Sequence, residues 1–191
     1  FMEVSVTCKQ CSSVSCRYEP FNMLKVGFPD KKMSTLEQCI DYEFLSEDLD
    51  EYQCDKCSPY VPSDSPVPKA KRPPGSVQRR IWRLPQNLII ILKRFNPDGS
   101  KCHANFSADP AQKFTRWFSE KSPESSKMAS FNLQSVVDHH GSANGGHYVA
   151  QVKSPLTQSW NMYDDENVST IKDGSKAFLG EPSYILFYRK E

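Results

Sequence analysis

Two Cys-x-x-Cys turns, Cys8-Lys9-Gln10-Cys11 and Cys54-Asp55-Lys56-Cys57, restrict this chain more than any other feature. Two residues between cysteines let both sulfurs reach one tetrahedral ion at about 2.3 Å, so the two turns supply the four thiolates of a closed, structural Zn2+ site. Four reduced cysteines without metal are the alternative. The stretch between Cys11 and Cys54 is too long for a compact ribbon, so structure of its own has to bridge it. Neither turn opens a helix after a strand, which argues against a thiol-redox motif. The cysteine total is seven, an odd number that suits metal binding in a reducing, intracellular compartment (cytoplasmic or nuclear) better than a disulfide framework. Cys16, Cys39 and Cys102 are not needed for the metal. Cys102 precedes His103, but neighbours on a strand point to opposite faces, so no reactive pair is read there.

With 191 residues, 38% hydrophobic and 25% charged, the chain has the make-up of a soluble globular protein, as one domain or two small subdomains. No apolar run approaches membrane-spanning length. The opening Phe1-Met2-Glu3-Val4-Ser5-Val6 lacks the basic and long apolar regions of a signal peptide and reads as a strand cut from something longer. A net charge of +1 gives no overall field to steer the chain to nucleic acid or membrane, and neither is expected as a partner. Lys69-Ala70-Lys71-Arg72 and Arg79-Arg80 read as locally basic, solvated segments.

Alternation predicts strands over Met2 to Thr7 and Val14 to Tyr18 around the first cysteine turn, and a short one over Phe21 to Val26. Ser34-Thr35-Leu36-Glu37 has the pattern of a capping box, and Leu36, Ile40 and Phe44 follow at helical spacing with Cys39 beside them. That predicts a helix over Thr35 to Phe44. The proline-rich stretch Ser58 to Ser76 reads as an insertion too polar to order itself. Val77 to Leu84 and Asn87 to Phe95 read as strands, the second apolar throughout and so central in a sheet. Asp109-Pro110 is expected to start a short helix through Phe118. Strands are expected over Phe131 to His139, Gly146 to Lys153, Trp160 to Tyr163 and Tyr184 to Arg189.

Asp138-His139-His140 leads into a glycine-rich crossing, Gly141 to Gly146, and then into a strand beginning His147-Tyr148-Val149. Gly145 and Gly146 would let another backbone approach without Cβ obstruction. An imidazole at that strand edge is placed to take a proton from a thiol, which at neutral pH is mostly un-ionised without such help. If Gly146 to Lys153 and Trp160 to Tyr163 form a hairpin, Asp164 returns beside His147 and can orient the ring. Spacing alone equally admits a surface histidine beside a solvated acidic cluster, Asp164-Asp165-Glu166.

Gly145-Gly146-His147-Tyr148-Val149-Ala150, Trp160-x-x-Tyr163-Asp164-Asp165-Glu166-x-Val168 and Tyr184-Ile185-Leu186-Phe187-Tyr188 resemble the histidine box of the ubiquitin-specific proteases. Leu84-Pro85-x-x-Leu88-x-Ile90-x-Leu92-Lys93-Arg94-Phe95 resembles that family's central strand, and the two cysteine turns fall where its zinc-bound fingers do. Four motifs occur in the family's order over nearly the whole chain. The resemblance implies an α+β, papain-like thiol isopeptidase with a mostly antiparallel β palm and zinc-bound β fingers. Residues 1–83 would be fingers, with the insertion at 58–76, and residues 84–191 the palm. It implies cleavage after the C-terminal glycine of ubiquitin, with ubiquitin or a ubiquitinated protein as partner. His147 would be the general base, Asp164 its orienter and Asp165 an assisting acid. Gly141, Gly145, Gly146 and Tyr148 would lie over the ubiquitin tail, and Phe106 to Lys127 where a second covering loop lies. The stretch between Phe106 and Ala129 matches the family poorly. No Gly-Asn-x-Cys-type segment occurs, so the thumb carrying the nucleophile is expected to precede Phe1. Three functions follow: part of an active deubiquitinase, a catalytically dead ubiquitin-binding module, or a zinc-stabilised scaffold.

Overall fold

Period-two alternation dominates this chain, and strands dominate its fold. A computed structural model describes residues 1–63, 65, 70–126, 130–171 and 177–191. In chain order the elements are β1 (Met2–Cys8), β2 (Val14–Glu19), β3 (Met23–Val26), β4 (Met33–Thr35), α1 (Leu36–Glu43), β5 (Glu47–Leu49), β6 (Gly75–Ile81), β7 (Asn87–Leu92), β8 (Asn105–Ser107), β9 (Ala111–Lys113), a 3-10 turn over Thr115–Trp117, β10 (Ser130–Ser142), β11 (Gly145–Lys153), β12 (Trp160–Asp164), β13 (Asn167–Thr170) and β14 (Ser183–Lys190). No helix among the described residues is long and apolar enough to cross a membrane.

The chain divides into two compact units. The first comprises Phe1–Pro20, Phe44–Arg83 and Trp117–Ser125. Its antiparallel sheet has the order β2-β1-β6-β5, with Met2 opposite Ile81 and Cys8 opposite Gly75. The core is small: Val4, Val77 and Ile81 from the sheet, with Trp117 and Phe118 from the last segment. Strand β2 is exposed along its whole length.

The second unit comprises Phe21–Glu43, Leu84–Arg116 and Ser126–Glu191. An eight-stranded sheet runs β13-β12-β11-β10-β14-β7-β3, with β9 also paired to β10. All pairings in it are antiparallel except β3 with β7. Leu88, Ile90 and Leu92 of β7 are fully buried, as its unbroken apolar run requires. Leu36, Cys39 and Ile40 form the buried face of α1, and burial pushes the Cys39 thiol up to about 12.

Several expectations are corrected. The capping box is one residue later than the Ser34–Glu37 pattern: Thr35 and Gln38 exchange it, with Gln38 N donating to Thr35 Oγ1 at 3.2 Å and Thr35 N to Gln38 Oε1 at 2.9 Å. Ser34 is instead buried and donates to Asp30 O at 3.0 Å. No helix runs from Asp109 to Phe118. Gln112 and Phe114 are buried at alternate positions of β9 and its continuation, and Phe114, Trp117 and Phe118 only imitate a helical stripe. Strands β6 and β7, adjacent in sequence, belong to different sheets. The proline-rich stretch falls partly on residues 64 and 66–69, which lie outside the described residues, as does Lys69 of the basic segment. Its described ends are ordered: Ser58 N donates to Cys54 O at 2.8 Å, and Gly75 begins β6. Lys127, the end of the expected second covering loop, also lies outside, and much of that loop is β8, β9 and the 3-10 turn.

Arg94, just past the end of β7, is fully buried, and among the described residues its hydrogen bonds go to carbonyls and not to a carboxylate. Its guanidinium donates to four carbonyls: Ser183 O (2.5 Å), Cys102 O (2.9 Å), Ala104 O (2.9 Å) and Gly180 O (3.1 Å), and it lies 4.6 Å over the Phe28 ring. A buried cation is tolerated only when its donors are used in this way. Arg94→Leu strands these carbonyls, and urea unfolding of the variant is expected to show a loss of about 3 kcal/mol or more.

Candidate active site and metal centre

The hairpin of β10 and β11 sets the site. His140 pairs with His147, Gly141 with Gly146 and Ser142 with Gly145, which leaves Ala143-Asn144 as a two-residue turn. The expected glycine-rich crossing is therefore a continuous hairpin. Gly141 has φ 116°, and a Cβ there would stand 2.6 Å from Gly145 O. A Cβ at Gly146 would run into the His139 ring and His140 O, whereas Gly145 faces open space. Gly146 thus makes room for the neighbouring strand's own histidine, and Gly145 clears nothing in this structure.

Strand β12 continues the sheet, pairing Lys153 with Trp160 and Ala150 with Tyr163. Residues 147 and 164 are diagonal neighbours on one face of that register. Asp165 and Glu166 form the turn between β12 and β13, with Asp165 at φ 49°. The hairpin predicted from the sequence does bring its two ends together: His147 Nε2–H donates to Asp164 Oδ1 at 2.5 Å. The side chains are 47% and 50% exposed. Asp165 makes no hydrogen bond to the ring but adds a weaker attraction. The Asp164 hydrogen bond raises the His147 pKa, with burial opposing it. The bond also fixes the tautomer, because a neutral ring that donates from Nε2 carries its lone pair on Nδ1. Nδ1 is therefore the nitrogen able to take a proton.

Tyr148 points to the other face, where its half-exposed ring stands 4.7 Å from that of His139. Phe95 and Tyr184 complete an aromatic group around His139. Sequence reasoning assigned nothing to His139, to Lys101 (whose Nζ donates to His139 O at 2.6 Å), or to Asp138 and Gln151, hydrogen-bonded at 2.5 Å. The signal available was the run Asp138-His139-His140 itself, in which one imidazole had to face inward.

In the first unit, Cys8, Cys11, Cys54 and Cys57 place their sulfurs within 4.8 Å of one another. Cys8 and Cys57 are 4.0 Å apart, Cys11 and Cys54 3.7 Å. A tetrahedron with metal–sulfur bonds of about 2.3 Å has sulfur–sulfur edges of about 3.8 Å, so the donor set fits a metal ion. Tight turns bring each pair inward: Ser12 N donates to Cys8 O, and Cys54 N to Ser58 Oγ. Without metal the thiols compete. The Ser13 hydroxyl, chiefly, brings Cys11 down to about 6, and the Cys11 neighbour pushes Cys57 up to about 12.

The sequence profile of the ubiquitin carboxyl-terminal hydrolase family matches residues 2–188. The chain belongs to this family. Similar relatives include ubiquitin carboxyl-terminal hydrolase 4 of Eremothecium gossypii, 28% identical over 96% of this chain and 22% of its own length. The enzyme of that name from Saccharomyces cerevisiae is 29% identical over 96% of this chain and 21% of its own length. Among solved structures, the SAGA DUB module Ubp8/Sgf11/Sus1/Sgf73 bound to monoubiquitin has a TM-score of 0.78 at 28% identity, covering all of this chain and 40% of that one. This chain spans about a fifth of the length of those curated relatives. Its mostly antiparallel sheets and paired cysteine turns agree with the α+β protease fold of such neighbours.

Because its folded-state pKa is raised, His147 contributes stability that is full below the ordinary histidine value of about 6.5. That contribution is lost as pH rises through the raised value. NMR titration of the His147 ring protons is expected to show a midpoint above that ordinary value, and Asp164→Asn is expected to lower it.

Proposed function

We propose that this chain is the base-and-acid part of a deubiquitinating thiol protease domain, with a nucleophilic cysteine supplied from outside these residues. The observation that carries the reading is the His147–Asp164 hydrogen bond, held by strand register in a chain of this family. No cysteine is hydrogen-bonded to His147 among the described residues, and four of the seven cysteines are in the metal cluster. In this mechanism Nδ1 of His147 takes the thiol proton. The thiolate attacks the carbonyl of ubiquitin's terminal glycine, and His147 returns the proton to the leaving amine. Water then releases the acyl group from sulfur with the same imidazole as base. Asp164 holds the tautomer and stabilises the imidazolium, with Asp165 adding charge. Gly141, Gly145, Gly146 and Tyr148 border the path of the ubiquitin tail. The first unit serves as the fingers and the second as the palm. The intact base and orienter favour an enzyme over a dead binding module.

The test is hydrolysis of a ubiquitin-based fluorogenic substrate by the parent protein. His147→Ala or Asp164→Asn is expected to lower kcat by roughly 10²–10⁴-fold. Activity that survives His147→Ala overturns the assignment. The 191-residue chain alone is expected to show no thiol-dependent hydrolysis.

The cysteine cluster is proposed to hold one structural Zn2+, all four positions filled by Cys8, Cys11, Cys54 and Cys57. Elemental analysis is expected to find one zinc per chain. Chelation or Cys54→Ser is expected to lower the Tm of the first unit and leave the second folded.

A further inference from the structure

The two cysteine turns of the first unit meet at a residue that is not a cysteine. Ser13 Oγ stands 3.1 Å from Cys11 Sγ and 3.4 Å from Cys54 Sγ, so one hydroxyl touches a sulfur of each turn. Backbone bonds set its place. Ser12 N donates to Cys8 O and Cys8 N donates to Ser13 O, both at 2.9 Å. Ser12 closes the turn at φ 58°, a left-handed conformation that non-glycine residues enter rarely. Ser13 therefore ends the loop opposite Cys8, one residue before β2, and contacts three of the four cysteines.

The position of the hydroxyl decides what it can do. Among the described residues it hydrogen-bonds two of the four sulfurs, which puts it on the Cys11–Cys54 side of the cluster. Both of its distances to sulfur exceed the metal–sulfur bond of about 2.3 Å, so the centre of the tetrahedron is left to the ion. Four thiolates already complete a structural site, and no fifth ligand is needed.

A donor is useful at that place. Four thiolates outweigh the charge of a dication, and the filled centre is anionic. Cys8 and Cys54 are buried, which removes water as a donor to their sulfurs, while Cys11 is exposed. An O–H group that donates to a thiolate makes a charge-assisted hydrogen bond, and donors of this kind orient metal ligands. Lys9, inside the first turn, is engaged instead with Asp48 at 2.8 Å. A hydroxyl has one proton and serves one sulfur at a time, and the shorter contact is to Cys11.

We infer that Ser13 is a positioning residue of the metal centre, its hydroxyl donating to the Cys11 thiolate and bridging to Cys54 so that the two turns keep the spacing the ion requires. The inference rests on the zinc reading.

The experiment equilibrates the zinc-loaded parent protein with a competing chelator and records the sulfur-to-metal charge-transfer absorption of the protein loaded with Co2+. Ser13→Ala is expected to weaken zinc binding by about 10- to 100-fold and to shift the cobalt absorption. Ser13→Thr keeps the hydroxyl and is expected to bind zinc within about threefold of the wild type. A serine that only shaped the loop would leave the cobalt absorption where it is. A wild type that holds no zinc overturns the zinc reading itself. Zinc binding by the wild type, with Ser13→Ala equally tight, Ser13→Thr as weak as Ser13→Ala, or an unmoved cobalt absorption, overturns the role of Ser13 and leaves the zinc reading standing.

Discussion

Register is the constraint on which this structure depends. Side chains along a strand alternate faces, so a slip of one residue between β11 and β12 would move His147 away from Asp164 altogether. The dyad is half exposed and has little packing of its own to hold it. Its geometry is inherited from the buried parts of the same strands, where Val136, Val149, Gln151 and Trp160 fix the pairing. The two-residue turns at Ala143-Asn144 and Asp165-Glu166 then leave no slack at the ends that carry the chemistry.

The two units are stabilised by different physics. The second has long strands buried on one or both faces and tolerates a buried guanidinium by surrounding it with carbonyls. The first has a four-stranded sheet with one strand exposed throughout, too little to stabilise the tips of its turns by apolar burial alone. There the four thiols stand in place of a core. One solution uses neutral dipoles around a fixed charge, the other gathers four ionisable sulfurs within 4.8 Å of one another.

Much of this was legible in the sequence because its cues are local or strictly periodic. The cysteine spacing, the apolar run of β7 and the alternation in β10, β11, β12 and β14 each specify an element without reference to distant residues. The pairing of His147 with Asp164 followed from one hairpin. What was not legible depended on tertiary context. Ser34 and Thr35 are equivalent as caps until burial takes Ser34 to Asp30. Phe114, Trp117 and Phe118 have helical spacing, but β9 is drawn into the sheet by β10. Asp138 and His139 looked like flanking residues, because nothing in a linear pattern tells which imidazole of an adjacent pair turns inward. Of the two glycines expected to admit a neighbouring backbone, Gly146 does so, with His140 O against it, whereas Gly145 faces open space.

The pairing of β1 with β6 bears on how the chain comes into being. Met2 pairs locally with Glu19, but its other partner, Ile81, comes much later, and the last segment of the same unit lies beyond residue 116. A contact that closes so large a loop forms slowly. During synthesis Cys8 and Cys11 leave the ribosome long before Cys54 and Cys57 exist to complete their tetrahedron. For that interval the first pair is an open bidentate thiol site, exposed to oxidation and to any thiophilic ion. Until the second pair joins them, elongation competes with side reactions at these two sulfurs.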